Sequence, residues 1–275
     1  MAEAADQTDL TLFRRALGFS ERVVERSKEH HSGLDFLYGL FSAMVFNVGQ
    51  RLIDAKTQTG ERFSEDEALI ILCNRLFNDS FSGYLLLKRG LIGPASLLLR
   101  SALEVTNLAV LLGGSPEHAE RWLGGREYTP AVVRRLLEST DAEREWYSKL
   151  SKATHANYVA SRANIYRVEE TTTDVLMYGG RFAPKESGLT GCAFLWLHLT
   201  FLQAFYARSS GRLAALGLLW KPGMHELLEE RDLEGLSWQQ VLEVFASVLS
   251  DVQGDLEKLP PDHDDIPPMV AEHFA

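Results

Sequence analysis

Two charged residues, Arg100 and Glu104, interrupt an otherwise apolar helical stretch from Gly93 to Gly114. Each residue of an α-helix advances by about 100°, so Ser96, Arg100, Glu104 and Asn107 lie on one face. An arginine four residues before a glutamate is the less stabilising order of such a pair, so helix stabilisation explains it poorly. Either this face is the solvent edge of a mostly buried helix, or Arg100 lines a cleft. In a cleft, Glu104 would orient its guanidinium towards an anion or a partner's carboxylate.

A second polar face is predicted further along the chain, where Arg144, Ser148, Ser151, His155 and Arg162 recur at helical spacing. Histidine changes its charge near neutral pH and can therefore act as an acid, a base or an anion ligand. His155 is the best single candidate for a chemical role in the sequence. The alternative is that it is a surface or capping histidine.

Helical patterns position both faces and extend through most of the chain. The helix that carries the second face should begin at Thr140, capped by Glu143, and continue to about Tyr166. We therefore predict an all-α protein, a single bundle of about seven to nine helices over residues 1–259, followed by a proline-rich acidic tail at 260–275. Residues 168–183 favour a short β-hairpin or an ordered loop. The longer predicted helices cover approximately 10–31, 34–60, 64–89, 94–113, 140–166, 189–219 and 237–259.

The composition excludes several classes of function. The chain of 275 residues has a net charge of −10, which disfavours charge-driven binding to nucleic acids. Its two cysteines have no spacing suited to zinc. The sequence also lacks Glu-x-x-His, His-Glu-x-x-His, a glycine-rich phosphate loop and Gly-x-Ser-x-Gly. We therefore expect no metal and no cofactor.

The sequence patterns also bear on location. The N-terminal residues are acidic before they are apolar, unlike a signal peptide, which predicts a cytoplasmic protein. One run, Leu189 to Ala207, contains no charged residue and approaches the length of a membrane span. A helix that is apolar on all sides can equally be the centre of a bundle. We interpret it as a bundle helix and expect no membrane partner.

Two short motifs carry a resemblance to a known family. A Leu-Leu-Arg-Ser-x-x-Glu helix contains Arg100 and Glu104, and a Leu-Ser-x-x-x-His segment ends at His155. Over roughly residues 70–165 the chain resembles a large, poorly characterised family of bacterial all-helical proteins. That family is distantly similar to the HEPN superfamily of nucleotide-binding and RNA-cleaving helical proteins.

The HEPN resemblance implies a metal-independent ribonuclease. HEPN ribonucleases carry an arginine, then four to six intervening residues, then a histidine on one helix. Paired across a dimer, these groups activate the ribose 2′-hydroxyl and stabilise the phosphate. In this chain none of the three corresponding positions is an arginine. Lys149 occupies one of them, so Lys149 and His155 are the candidate catalytic pair, with a weaker grip on phosphate than a guanidinium gives.

Two hypotheses follow. The first is a non-catalytic helical protein, a homodimer, that binds a protein partner or a small anion through its two polar faces. The alternative is a HEPN-like ribonuclease or nucleotide-modifying enzyme of a toxin or phage-defence system, the one case in which RNA would be a partner. The candidate binding residues are Arg100, Glu104, Asn107, Arg144, Ser151 and Arg162.

Overall fold

The computed structural model describes residues 18, 20–28, 31–154, 165–167, 174–176, 183–217 and 237–260. Within these ranges the chain forms nine helices, so the prediction of an all-α bundle of seven to nine helices is confirmed. The helices are α1 (20–28), α2 (Ser32–Thr59), α3 (Ser64–Lys88), α4 (Ile92–Gly113), α5 (Pro116–Leu123), α6 (Pro130–Leu136), α7 (Asp141–Thr154), α8 (Pro184–Ala215) and α9 (Trp238–Lys258).

The centre of the bundle is α8, which packs against α2, α3, α4 and α9. Its side chains are apolar in almost every direction, and Phe194, Phe201 and Phe205 have an exposed fraction of at most 1 %. Burial of such aromatic side chains is a major contribution to the free energy of folding. The run without charged residues from Leu189 to Ala207 therefore lies in the central helix of this bundle.

Close helix packing depends on glycine where α3 crosses α8. A Cβ atom at Gly83 would lie 2.4 Å from the ring of Phe194, closer than real side chains approach. At the end of α3 the backbone of Gly90 adopts φ 70°, and the amide of Leu91 then donates to the carbonyl of Leu86. This left-handed turn, which glycine adopts at little cost, directs the chain into α4.

The short helices α5 to α7 begin at side-chain caps that their sequences predict. Ser115 and Thr129 accept backbone hydrogen bonds ahead of a proline at the first helical position of α5 and α6. At the start of α7, the Glu143 carboxylate accepts a hydrogen bond from the Thr140 amide at 2.6 Å, and the Glu143 amide donates to the Thr140 hydroxyl. These caps fix where α6 and α7 start against α4.

The predicted hairpin is present, but its position differs from the prediction. Strands β1 (Ile165–Arg167) and β2 (Asp174–Leu176) pair in antiparallel register. The first strand begins before residue 168 and occupies the predicted end of the α7 helix at Tyr166. Cross-strand hydrogen bonding replaces helical hydrogen bonding there, and the described part of α7 ends at Thr154.

The prediction of a cytoplasmic chain without membrane contact is wrong. Three helices, α2, α4 and α8, are long and apolar enough to cross a membrane, which points towards a membrane protein. Half or more of the apolar stretch of each is buried inside the bundle. The prediction considered only the run without charged residues, which lies in α8. It missed α2 and α4, which contain a few charged residues but still have a high mean hydropathy.

Candidate functional site

A polar cluster lies where α4, α6 and α7 meet, on the outer side of the bundle. It comprises Arg100 and Glu104 of α4, Arg134 of α6 and Tyr147 of α7. The apolar residues of α4 pack into the core and turn its polar face towards the two shorter helices. The cluster therefore combines residues from three separate helices.

Within the cluster, Arg100 and Glu104 bind each other and a common partner. The Arg100 Nε atom lies 3.2 Å from Glu104 Oε1, and its Nη2 atom donates to the Tyr147 hydroxyl at 3.0 Å. That hydroxyl in turn donates to Glu104 Oε1 at 2.7 Å. The two charged side chains are 26 % and 29 % exposed. The side chains of Arg100, Glu104 and Tyr147 thus form a closed ring of hydrogen bonds. Because Tyr147 belongs to α7, this helix covers most of the polar face of α4.

Two guanidinium groups surround the aromatic ring of Tyr147. The Arg134 Cζ atom lies 3.7 Å from the ring centroid, and the Arg100 Cζ atom lies 5.2 Å from it. A guanidinium held over an aromatic face is attracted by the electrons of the ring. Its N–H donors lie in the guanidinium plane and stay available at its edge.

The charge of the cluster differs in sign from that of the chain. Arg100 and Arg134 supply two positive charges and Glu104 supplies one negative charge, a local net charge of +1 in a chain with a net charge of −10. The Arg134 guanidinium contacts the ring of Tyr147. It forms no hydrogen bond or ion pair with any residue in the described part of the chain. The cluster can therefore attract and bind an anion at the edge of Arg134.

The other predicted site residues lie apart from the ring of hydrogen bonds. Arg144 forms an ion pair with Asp141 at 2.5 Å, and Lys149 forms one with Glu145 at 2.9 Å. These four side chains are more than half exposed, so the pairs contribute little to stability.

The remaining predicted residues divide into two groups. Asn107 and Ser151 are half-buried. His155 and Arg162 lie outside the described residues, so the sequence-based hypothesis that His155 shares a site with Arg100 stays a prediction. The structure brings together Arg100 and Glu104 from the predicted set.

The sequence reasoning missed Arg134 and Tyr147. Tyr147 is not among the residues of the predicted polar face on its helix, yet its hydroxyl binds both charged residues of α4. Arg134 lies on a helix of seven residues, too short for a periodic pattern to show which side chain faces inward. The available signal was the pair Arg134 and Arg135, two adjacent cations on one short capped helix.

A groove of about 520 Å³ runs beside the cluster between α4, α7 and α8. It begins one helical turn before Arg100, at Ser96, and Trp146, the neighbour of Tyr147, lines its side. Most of its surface is apolar, with charged groups at the start of α8. The lining residues are Ser96, Leu99, Trp146, Leu150, Lys185, Glu186, Leu189, Thr190 and Ala193.

A second set of charged groups connects the start of α3 to α8 and is structural. Arg208 pairs with Glu65, and Arg212 pairs with Asp66 and covers the ring of Phe63. The Glu65 side chain is only 4 % exposed. Burial raises the pKa of the Asp66 carboxyl, an effect that the neighbouring Arg212 opposes. Because these carboxylates need their cations, the pairs fix the position of α8 against α3.

Among the described residues, no group of three or more His, Cys, Asp or Glu side chains is placed to hold a metal ion.

Comparison of the chain with protein-family models, with curated proteins and with solved structures finds no match. The candidate function is therefore argued from the geometry of the α4, α6 and α7 cluster.

Proposed function

We propose that the chain is a non-catalytic binding protein whose cluster at α4, α6 and α7 takes a small anion, a carboxylate or a phosphate. The observation that carries the proposal is the Arg134 guanidinium, which is stacked on Tyr147 and offers its in-plane donors to an incoming oxyanion. Arginine suits this role because its planar fork matches the two oxygens of such a group.

The neighbouring groups support binding rather than a reaction. Glu104 and Tyr147 hold the Arg100 guanidinium through two hydrogen bonds, so this second positive charge is fixed in direction before a ligand arrives. A fixed cation loses less conformational entropy on binding than a mobile one. The adjacent apolar groove supplies a surface for the non-polar part of an organic anion.

The direct test measures binding of inorganic phosphate and of acetate to the purified full chain by isothermal titration calorimetry. Replacement Arg134→Gln removes the positive charge, and we expect about a ten-fold loss of affinity, the value of one charge-assisted hydrogen bond. Arg135→Gln is the matched control, since Arg135 is exposed on the same helix. Binding should also weaken at high salt because the site is open to solvent.

An equal loss of affinity in both variants would contradict the proposal, as would wild-type protein that binds neither anion at millimolar concentration. The homodimer also stays a prediction, for which light scattering of the purified chain is the measurement.

The ribonuclease alternative is tested with the same protein. In the structure Lys149 pairs with Glu145 on the exposed side of α7, away from the cluster of Arg100 and Tyr147. The HEPN-like mechanism stays a prediction that rests on the resemblance of the sequence. Cleavage of RNA without added metal, abolished by His155→Ala, would support the ribonuclease in place of the binding protein.

A further inference from the structure

The outward face of α2 is uncharged over most of its length. The exposed positions of this helix between residues 36 and 53 alternate with buried ones at helical spacing. Phe36 and Ile53 lie about 26 Å apart along the axis, at about 1.5 Å per residue. The charges next to this face are partly covered and paired, Asp35 with Lys88 at one end and Arg51 with Asp54 at the other. The exposed residues are Phe36, Gly39, Ala43, Phe46, Gln50 and Ile53.

Aromatic side chains extend this face onto α3. The rings of Phe46 and Phe77 have centroids 6.1 Å apart, and those of Phe77 and Phe81 lie 6.0 Å apart and are stacked. Phe46 is 59 % exposed and Phe81 is 48 % exposed. Other apolar residues fill the core of the bundle, so these two rings remain at the surface. The exposed residues of this surface are mainly apolar, and its polar members, Gln50 on α2 and Asn74 and Asn78 on α3, carry no charge. An exposed and mainly apolar surface marks a place of contact with another apolar phase.

The uncharged face ends at a groove that carries positive charge. The groove has a volume of about 600 Å³, and Ile53, Ile71 and Leu123 are exposed within it. Arg62, Lys56 and Glu67 line the same groove and give it a net charge of +1, with Glu67 paired to Lys56 at 2.7 Å. Apolar wall and cations are thus adjacent at one end of α2, the arrangement that a membrane helix has at the boundary between hydrocarbon and head groups.

We propose that the outward face of α2, with Phe77 and Phe81, contacts the hydrocarbon of a lipid bilayer, and that the groove with Arg62 and Lys56 binds an anionic lipid head group. The length of the uncharged face is close to the thickness of a bilayer's hydrocarbon core, about 30 Å. Of the three helices long and apolar enough to cross a membrane, α2 carries this exposed face. A second copy of the chain would require neither that length nor cations at one end.

The proposal does not depend on the anion site of α4, α6 and α7, so the two can fail separately. For the test, detergent is removed from the purified full chain in the presence of vesicles, which are then floated on a density gradient. One set of vesicles contains phosphatidylcholine alone, and the other also contains phosphatidylserine. The wild-type chain should float with both sets and partition more strongly into the anionic set.

Three variants separate the contributions. Phe46→Ser should lower the partition coefficient by about ten-fold or more on both vesicle sets, because a phenyl ring no longer enters hydrocarbon. Leu136→Ser is the matched control, since Leu136 is also an exposed apolar residue, on α6, and it should partition like the wild type. Arg62→Gln should lower partition about five-fold on anionic vesicles and leave it unchanged on neutral ones.

Circular dichroism of each variant should match the wild type, since every substituted residue is exposed. Wild-type protein that stays at the bottom of the gradient would overturn the proposal. The same conclusion follows if Phe46→Ser and Leu136→Ser lower partition equally. If Phe46→Ser leaves flotation unchanged and converts a dimer into a monomer, the face binds a second copy and the proposal is also overturned.

Discussion

The hydroxyl of Tyr147 connects two charged side chains, and its removal tests whether the cluster is a defined site. Tyr147→Phe abolishes the hydrogen bonds to Arg100 at 3.0 Å and to Glu104 at 2.7 Å, while the ring beneath Arg134 stays in place. A hydrogen bond to a charged group contributes about 1.5–3 kcal/mol when buried. The side chains of Arg100 and Glu104 are 26 % and 29 % exposed to solvent, so water replaces part of each lost hydrogen bond. We expect the free energy of unfolding to fall by about 1–2 kcal/mol.

The assay is urea-induced unfolding followed by far-ultraviolet circular dichroism. The transition midpoint should fall and the slope of the free energy against urea should stay constant, because the surface exposed on unfolding is nearly unchanged. A double-mutant cycle with Glu104→Gln isolates the contact, with an expected coupling of about 1 kcal/mol. Glu145→Gln is the control partner, since residues two apart on a helix do not face each other. A Tyr147–Glu104 coupling below about 0.3 kcal/mol would refute the hydrogen-bonded ring.

Three further predictions concern the rest of the described fold. Gly83→Ala should be less stable than Gly254→Ala by about 1–3 kcal/mol, because a Cβ at 83 meets a buried ring at 2.4 Å and one at 254 meets nothing within 4 Å; equal urea midpoints would contradict this. Burial raises the pKa of the Cys73 thiol to about 12, so a thiol reagent should label it only after unfolding, and rapid labelling of the native chain would disprove its packing. A hydrogen bond from Lys56 lowers the pKa of Glu67, so their pair stabilises the fold above the ordinary pKa of 4.5 and loses this effect as pH falls through the lowered value. In Lys56→Gln a nuclear magnetic resonance titration should show the Glu67 pKa rising, and an unchanged pKa would exclude the ion pair.

The sequence predicts helices well where one periodic pattern decides the structure. The apolar spacing of α2, α3, α8 and α9 and the capping of α7 by Glu143 are local signals, and each of these helices begins near its expected position. The end of the seventh helix was misplaced because Ile165 to Arg167 pair with Asp174 to Leu176 across a hairpin. A three-residue strand is stabilised by its partner strand, which a reading of periodicity in one segment does not include.

The candidate site was predictable only in part, for a related reason. The contact between Arg100 and Glu104 follows from four-residue spacing on one helix. Tyr147 and Arg134 reach them through the packing of α6 and α7 against α4, and no spacing rule connects residues on separate helices. The same limit applied to the membrane question. A search for charge-free runs passes over α4, whose Arg100 and Glu104 largely neutralise each other's charge.

The central position of α8 has a consequence for the order in which the chain is made. Its partners α2, α3 and α4 are complete at residue 113, and α8 ends at Ala215. At about 5–20 residues per second, the apolar inner faces of those three helices wait about 5–20 s for the helix that covers them. During that interval the nascent chain presents apolar surface to any chaperone or insertion machinery at the ribosome. Such machinery can therefore engage the chain before its central helix has left the ribosome.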